Sequence, residues 1–172
     1  MAINFLTSTN TTFDVVVTAD ISVTCTDDQR GQYLNTGDMS VLEDVGEKAT
    51  VFTLRPLGPA EREQAEIRAG AYSRSELGRL LWVEAPNDPR EKARWHHKLP
   101  IDEREAYADY EAYISRVYIE MIRESLVSID GQPGTIDMIQ QIRPDGMRVT
   151  TITELVLHIQ RASLVGDEGK SL

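Results

Sequence analysis

The stretch Phe13-Asp14-Val15-Val16-Val17-Thr18-Ala19-Asp20-Ile21-Ser22-Val23-Thr24-Cys25 puts an apolar residue at every odd position. Every even position except Val16 holds Asp, Thr or Ser. Side chains alternate between faces along a strand, so this spelling predicts one dry face and one wet face, as in an antiparallel sheet packed on one side. The stretch is longer than the usual strand of about five or six residues. A bulge, or a turn near Thr18–Asp20 that makes a hairpin, is therefore expected to break it.

Toward the amino end, Ile3, Phe5 and Leu6 followed by Thr7-Ser8-Thr9-Asn10 predict a short strand or arm entering a turn. Toward the carboxyl end, Asp27-Asp28 are placed to cap a short helical turn at Gln32-Tyr33-Leu34. That turn stops at Thr36-Gly37-Asp38, where Gly37 suits a left-handed cap. An exposed acidic loop over Glu43–Lys48 comes next. Thr50-Val51-Phe52-Thr53-Leu54-Arg55 reads as a second strand, ended by Pro56 and expected to pair with the first. Two or three strands with one apolar face are not stable alone in water, so helices or a partner must cover them.

From Pro59 onward the pattern is helical. One helix is expected over Pro59–Gly70, and a second from Ser73 or Ser75 toward Trp82 with Leu77, Leu80 and Leu81 on its apolar stripe. Pro86–Pro100, which contains Trp95-His96-His97, reads as a long ordered loop or a short helix. The longest helix is expected over Ile101–Ser128, striped by Tyr107, Tyr110, Ile114, Val117 and Met121 and widened by Tyr113, Tyr118 and Ile122. Turns at Asp130–Gly134 and Arg143–Gly146 bracket a short helix over Ile136–Ile142. A last helix over Thr151–Ser163 precedes a polar tail, Gly166–Leu172. The predicted class is α+β: a small antiparallel N-terminal β unit over residues 1–57, then a mainly helical region over 58–172 packing on it, or both in one domain.

Charge narrows the partners. The net charge is −10, and residues 1–50 hold eight Asp or Glu against Arg30 and Lys48. A nucleic-acid binder needs a basic face that displaces counterions, and no Lys/Arg stripe with interleaved aromatics occurs, so nucleic acid is not an expected partner. Basic proteins or segments complement this surface better. No apolar run reaches the ~20 residues needed to cross a bilayer, so no membrane span is expected. Cys25, the one cysteine, falls in the apolar register and is expected to pack rather than react.

Reactive constellations are few. His96-His97 beside Trp95 lacks the spacing of four that places two histidines on one helical face, so Trp95 is expected to anchor the segment while the imidazoles face solvent or backbone. His158 stands alone on the last helix and is expected at the rim. Neither Asp27-Asp28 nor Asp130-Gly131 continues as a calcium loop, and no glycine-rich phosphate loop or nucleophile elbow is present. Glu61 and Glu63 are explained by the positive end of a helix dipole. No catalytic residue, cofactor or metal ligand is predicted, and a metal-binding enzyme is the least favoured class.

Tyr33-Leu34-Asn35-Thr36-Gly37-Asp38, an acidic loop, and Val51-Phe52-Thr53-Leu54-Arg55-Pro56-Leu57 leading into Glu61-Arg62-Glu63 resemble the N-terminal part of tail assembly chaperones and related small proteins of tailed bacteriophages. The resemblance covers about the first 70 residues. It implies a non-enzymatic protein of the host cytoplasm, or of the virion, that binds phage structural or tail proteins. The regular opening strand departs from that pattern and fits equally a permanent structural virion component that adds a strand to a neighbour's sheet. Partner contact is expected on the opening strand, through Val15, Val17 and Ile21, and on the aromatic face of Tyr107, Tyr110 and Tyr113. Self-association into a homo-oligomer is a further expectation.

Overall fold

A computed structural model of the chain describes residues 11–70 and 76–168, with side chains as far as residue 163. The expected arm over Met1–Asn10, the Ser73 or Ser75 helix start and the last residues of the polar tail lie outside the described residues.

The opening stretch breaks at a turn over residues 18–22, and its halves join different sheets instead of forming a hairpin. Strand β1 (Phe13–Val16) and the two-residue β2 (Val23–Thr24) flank the turn. Helix α1 (Asp27–Thr36) starts one residue earlier than Asp27-Asp28 suggested. Thr26 is the N-cap: its hydroxyl accepts from the Gln29 amide at 3.2 Å while the Gln29 side chain accepts from the Thr26 amide at 2.8 Å. Gly37 ends α1 at φ 73°, donating its amide to the Tyr33 carbonyl at 2.6 Å. The acidic loop then contains β3 (Asp44–Val45), which pairs antiparallel with β2.

As expected, strand β4 (Val51–Leu54) pairs with β1; the register is Val15↔Phe52. Helix α2 (Pro59–Ala69) follows, with the Glu61 carboxylate accepting the Gly58 amide at 2.8 Å and pairing with Arg55. Then come α3 (Glu76–Glu84), α4 (Pro89–Lys98) and α5 (Ile101–Ser125). Of the two readings of Pro86–Pro100, a long loop or a short helix, the helix is the one seen, because Pro89 suits a first turn and the Asp88 carboxylate accepts the amides of Arg90 and Glu91, both at 2.9 Å.

The long helix stops three residues short of Ser128. Leu126–Ile129 is strand β5, which pairs with β4 and turns through Asp130 and Gly131, at φ 50° and 72°, into β6 (Gln132–Pro133). The sheet order is β1-β4-β5-β6. Helices α6 (Ile136–Gln140) and α7 (Asp145–Glu168) complete the described fold; α7 begins almost two turns before the expected Thr151 and runs on past Gly166. The chain is an α+β protein.

The expected division at residue 57 is not the one seen. One compact unit joins Met1–Ala65 to Tyr118–Leu172, and the other is Glu66–Val117. The physical reason is β5, which returns late in the chain to hydrogen-bond to β4, together with α7, which packs on α1. Ser125 secures that return, its hydroxyl donating to the Arg55 carbonyl at 2.5 Å and its carbonyl accepting the Arg55 amide at 2.9 Å.

In the first unit β1 is not half wet. Val15, Val16 and Val17 are all buried. Alternation still holds, but at the Val15–Val16 end both faces are covered: Val16 joins Val23, Tyr33, Leu42 and Ala49 in one apolar cluster, while Val15 lies on the face of Phe52 and Leu54; Asp14 stays exposed. Cys25 packs half-buried on that cluster, and burial pushes its thiol up from the ordinary range, away from reactivity.

The second unit packs α3 and α4 around the aromatic part of α5. At Gly78 a Cβ would meet the Ala106 carbonyl oxygen and would lie 3.0 Å from the Tyr110 Cβ, so α3 and α5 approach closely there. The ring of Tyr107 is buried, stacked on Trp82 at 5.9 Å and edge-on to Trp95 at 5.4 Å. Lys92 lies 5.0 Å from the Trp82 ring centre and pairs with Glu111 at 3.2 Å. Among the described residues no helix is long and apolar enough to cross a membrane.

Candidate functional site

The first unit holds an open apolar pocket of about 350 Å³. Sheet residues Phe52 and Ile129 form its floor, and Val17 continues from the end of β1. Met138, Ile139 and Ile142, from α6 and the residues after it, make one wall, and Met147 and Thr151 of α7 the other. These side chains are in place for a simple reason. The β5–β6 hairpin leads straight into α6, and α6 and α7 bring Met138, Ile139, Met147 and Thr151 to the same pocket as Phe52 and Ile129 of the sheet.

Asp20, Ile21 and Thr50 complete the lining. Asp20 ties the turn after β1 to the start of β4, with one carboxylate oxygen accepting the Ser22 amide at 2.8 Å and the other the Thr50 amide at 3.0 Å. Burial would raise its pKa, but the Thr50 and Ser22 donors outweigh it and hold the carboxyl below its ordinary value. Ile21 is 92 % exposed although it borders an apolar pocket.

Beside the pocket a buried polar network joins α7 to α1 and β1. Glu154 lies one turn beyond Thr151. One of its oxygens accepts from Arg30 Nε and a terminal Arg30 nitrogen, at 3.1 and 2.8 Å, and from the Thr18 hydroxyl at 2.6 Å; the other accepts the Thr18 amide at 2.7 Å. Four residues further, His158 is fully buried, its ring 4.7 Å from that of Tyr33. Its Nδ1 meets Arg161 at 2.8 Å, and its Nε2 has no hydrogen-bond partner. Burial, aided by the Arg161 charge, pushes its pKa down to about 4. The expectation of a rim position for His158 is corrected: Tyr33, far away in sequence, covers it.

Tyr33 also governs the sheet edge. Its hydroxyl donates to the Val16 carbonyl and accepts the Val16 amide, both at 3.0 Å, so it occupies the outward-facing groups at the end of β1. Desolvation raises its pKa to about 12, keeping the phenol neutral. Thr18, just past the strand, is bound to Glu154, so the Val16–Thr18 end of this edge is closed to an added strand. The opposite edge, β6, is two residues long and ends in Pro133, which has no N–H to donate.

The residues expected to contact partners are therefore scattered. Val15 and Val17 belong to the chain's own core, and of the three on the opening stretch only Ile21 reaches solvent. Tyr107 is core of the second unit; Tyr110 and Tyr113 are half-buried, 6.1 Å apart. His96 is half-buried, 5.4 Å from the Tyr107 ring. His97 is exposed, and no group of three His, Cys, Asp or Glu side chains among the described residues is placed to hold a metal. Asp20, Met138, Met147 and Thr151 were not singled out by the sequence. The available signal was the run of Ile136, Met138, Ile139, Ile142 and Met147, more apolar than two turns and a short helix require.

The pocket wall carries no nucleophile–base pair and one charge, Asp20, which is already engaged by two amides. No protein-family model matches the chain, and no curated protein or solved structure matches it.

Proposed function

We propose that this chain is a non-enzymatic assembly protein of a tailed bacteriophage, an adaptor or chaperone that holds a tail or other virion component during particle building. The observation that carries the reading is the open apolar pocket of the first unit, bordered by the solvent-facing Ile21. A pocket of this kind, with binding chemistry and a greasy lip, suits protein recognition better than catalysis. The resemblance of residues 33–63 to tail assembly chaperones supplies the biological setting. A permanent virion role through strand addition is less favoured, because Tyr33 occupies the backbone of Val16 at one edge of the four-stranded sheet and Pro133 lacks a donor at the other.

Affinity purification from infected cells, set beside the protein inventory of mature particles, tests the reading. Recovery with a tail component from extracts, at far below stoichiometric amounts in particles, is the expected result. Stoichiometric copy number in particles favours the structural role, and absence of any virion partner in both samples overturns the assembly reading.

A further inference from the structure

We infer that the pocket of the first unit receives one large aliphatic or aromatic side chain of a partner polypeptide that carries Lys or Arg next to that anchor. The inference rests on the assembly reading for the kind of partner, and on three observations for its chemistry. First, about 350 Å³ walled by Phe52, Ile129, Met138, Ile139 and Met147 suits an apolar group, and two methionines let the wall adapt to its shape.

Second, Ile21 stands at the border with 92 % of its surface in water. A small molecule seated inside the pocket leaves that surface wet, whereas a polypeptide crossing the mouth covers it. Third, the unit that holds the pocket is the acidic one. The unit formed by Met1–Ala65 and Tyr118–Leu172 has eighteen Asp and Glu against nine Lys and Arg, a net of −9, while Glu66–Val117 has ten against nine, a net of −1. At the pocket itself the one charge in the lining is the Asp20 carboxylate, held anionic by its Thr50 and Ser22 donors, so an incoming ammonium or guanidinium meets a negative charge there. An anionic lipid or a nucleic acid meets repulsion at the same place.

The test uses the full chain and a fluorescein-labelled synthetic peptide with one phenylalanine in a lysine–serine background. Two controls replace the phenylalanine by alanine or the lysines by glutamate. Anisotropy titrations are run at low and high salt on the wild type and on Ile21→Asp, whose site is exposed and whose fold is checked by circular dichroism. The phenylalanine peptide is expected to bind roughly tenfold or more tightly than the alanine one, and to shift the methyl signals of Met138 and Met147. Ile21→Asp is expected to remove that difference even though it makes the protein more acidic. Simple charge attraction would do the opposite.

Equal binding of the phenylalanine and alanine peptides, indifference to Ile21→Asp, or equal binding of the glutamate peptide overturns the inference. So does uncharged indole producing the same methyl shifts while the lysine peptide gains nothing over it, which marks a small-molecule site. If the peptides fail but a virion component co-purifies with wild type and Ile21→Asp alike, the pocket assignment falls and the assembly reading stands. If the peptide binds as expected and no virion partner is found, the assembly reading falls alone.

Discussion

Arg30 reaches Glu154 with two of its nitrogens, joining a 42 % exposed guanidinium to a carboxylate that is only 1 % exposed. The two partners are therefore unequal. Removing Arg30 strands a charge inside the protein, whereas removing Glu154 leaves a cation that water can still reach. Arg30→Met is expected to cost about 1–3 kcal/mol, the penalty of leaving a buried carboxylate with only its Thr18 donors. Adding Glu154→Leu to it is expected to recover part of that loss. Urea unfolding of the two single variants and the double variant measures the difference.

His158 predicts a pH response. Its folded pKa is about 4, below the ordinary 6.5, so the unfolded chain binds the proton more readily. The stabilisation from keeping this ring neutral is fully present above about pH 6.5 and is lost as pH falls toward 4, about 3 kcal/mol across that window. His158→Gln is expected to flatten the decline in urea midpoint between pH 7 and pH 4. An unchanged slope would assign the acid sensitivity to other groups.

Three glycines are expected to respond differently to alanine. At Gly37 a Cβ would run into the Arg161 guanidinium and φ is 73°, so Gly37→Ala is destabilising by about 1–2 kcal/mol or more. Gly78→Ala is destabilising through the Ala106 carbonyl. At Gly31, inside α1, a Cβ would meet nothing within 4 Å, and Gly31→Ala is expected to stabilise by up to about 1 kcal/mol. Thermal midpoints of the three variants should fall on opposite sides of the wild type.

Val17 and Ile21, equivalent in the alternating spelling, are not equivalent in the fold. Val17→Asp buries a charge at a 4 % exposed site and is expected to cost several kcal/mol, enough to unfold much of the protein. Ile21→Asp is expected to change the urea midpoint by less than about 0.5 kcal/mol equivalent.

Tyr107→Ala is expected to cost about 3–5 kcal/mol in the second unit, the usual penalty for emptying an aromatic core site. Both tryptophans of the chain touch that ring, so its loss should shift their emission to the red. Tyr113→Ala, at a half-buried position, should leave the emission nearly unchanged.

These contrasts show which parts of the fold could be read in advance. Local grammar was legible: the alternation through β1, the Gly37 cap, Pro56 ending β4 and Pro59 opening α2 each depend on near neighbours. Leu126–Ile129 was not, because its residues continue the apolar spacing of α5, and only pairing with β4, over seventy residues earlier, makes them a strand. The same holds for the site. Ile21 was singled out from its register, but Asp20, Met138 and Thr151 meet only once the sheet has closed. His158 looked peripheral because nothing near it in sequence announces the Tyr33 ring.

The late arrival of β5 has a consequence for synthesis on the ribosome. Phe52 and Leu54 emerge long before Leu126 and Ile129, so the nascent chain must carry half a sheet past the exit tunnel with its greasy side unsatisfied. Glu66–Val117 finishes translation in the interval, and its short-range helical contacts can form without waiting. The middle of the polypeptide is thus free to mature first, while its two ends wait for each other.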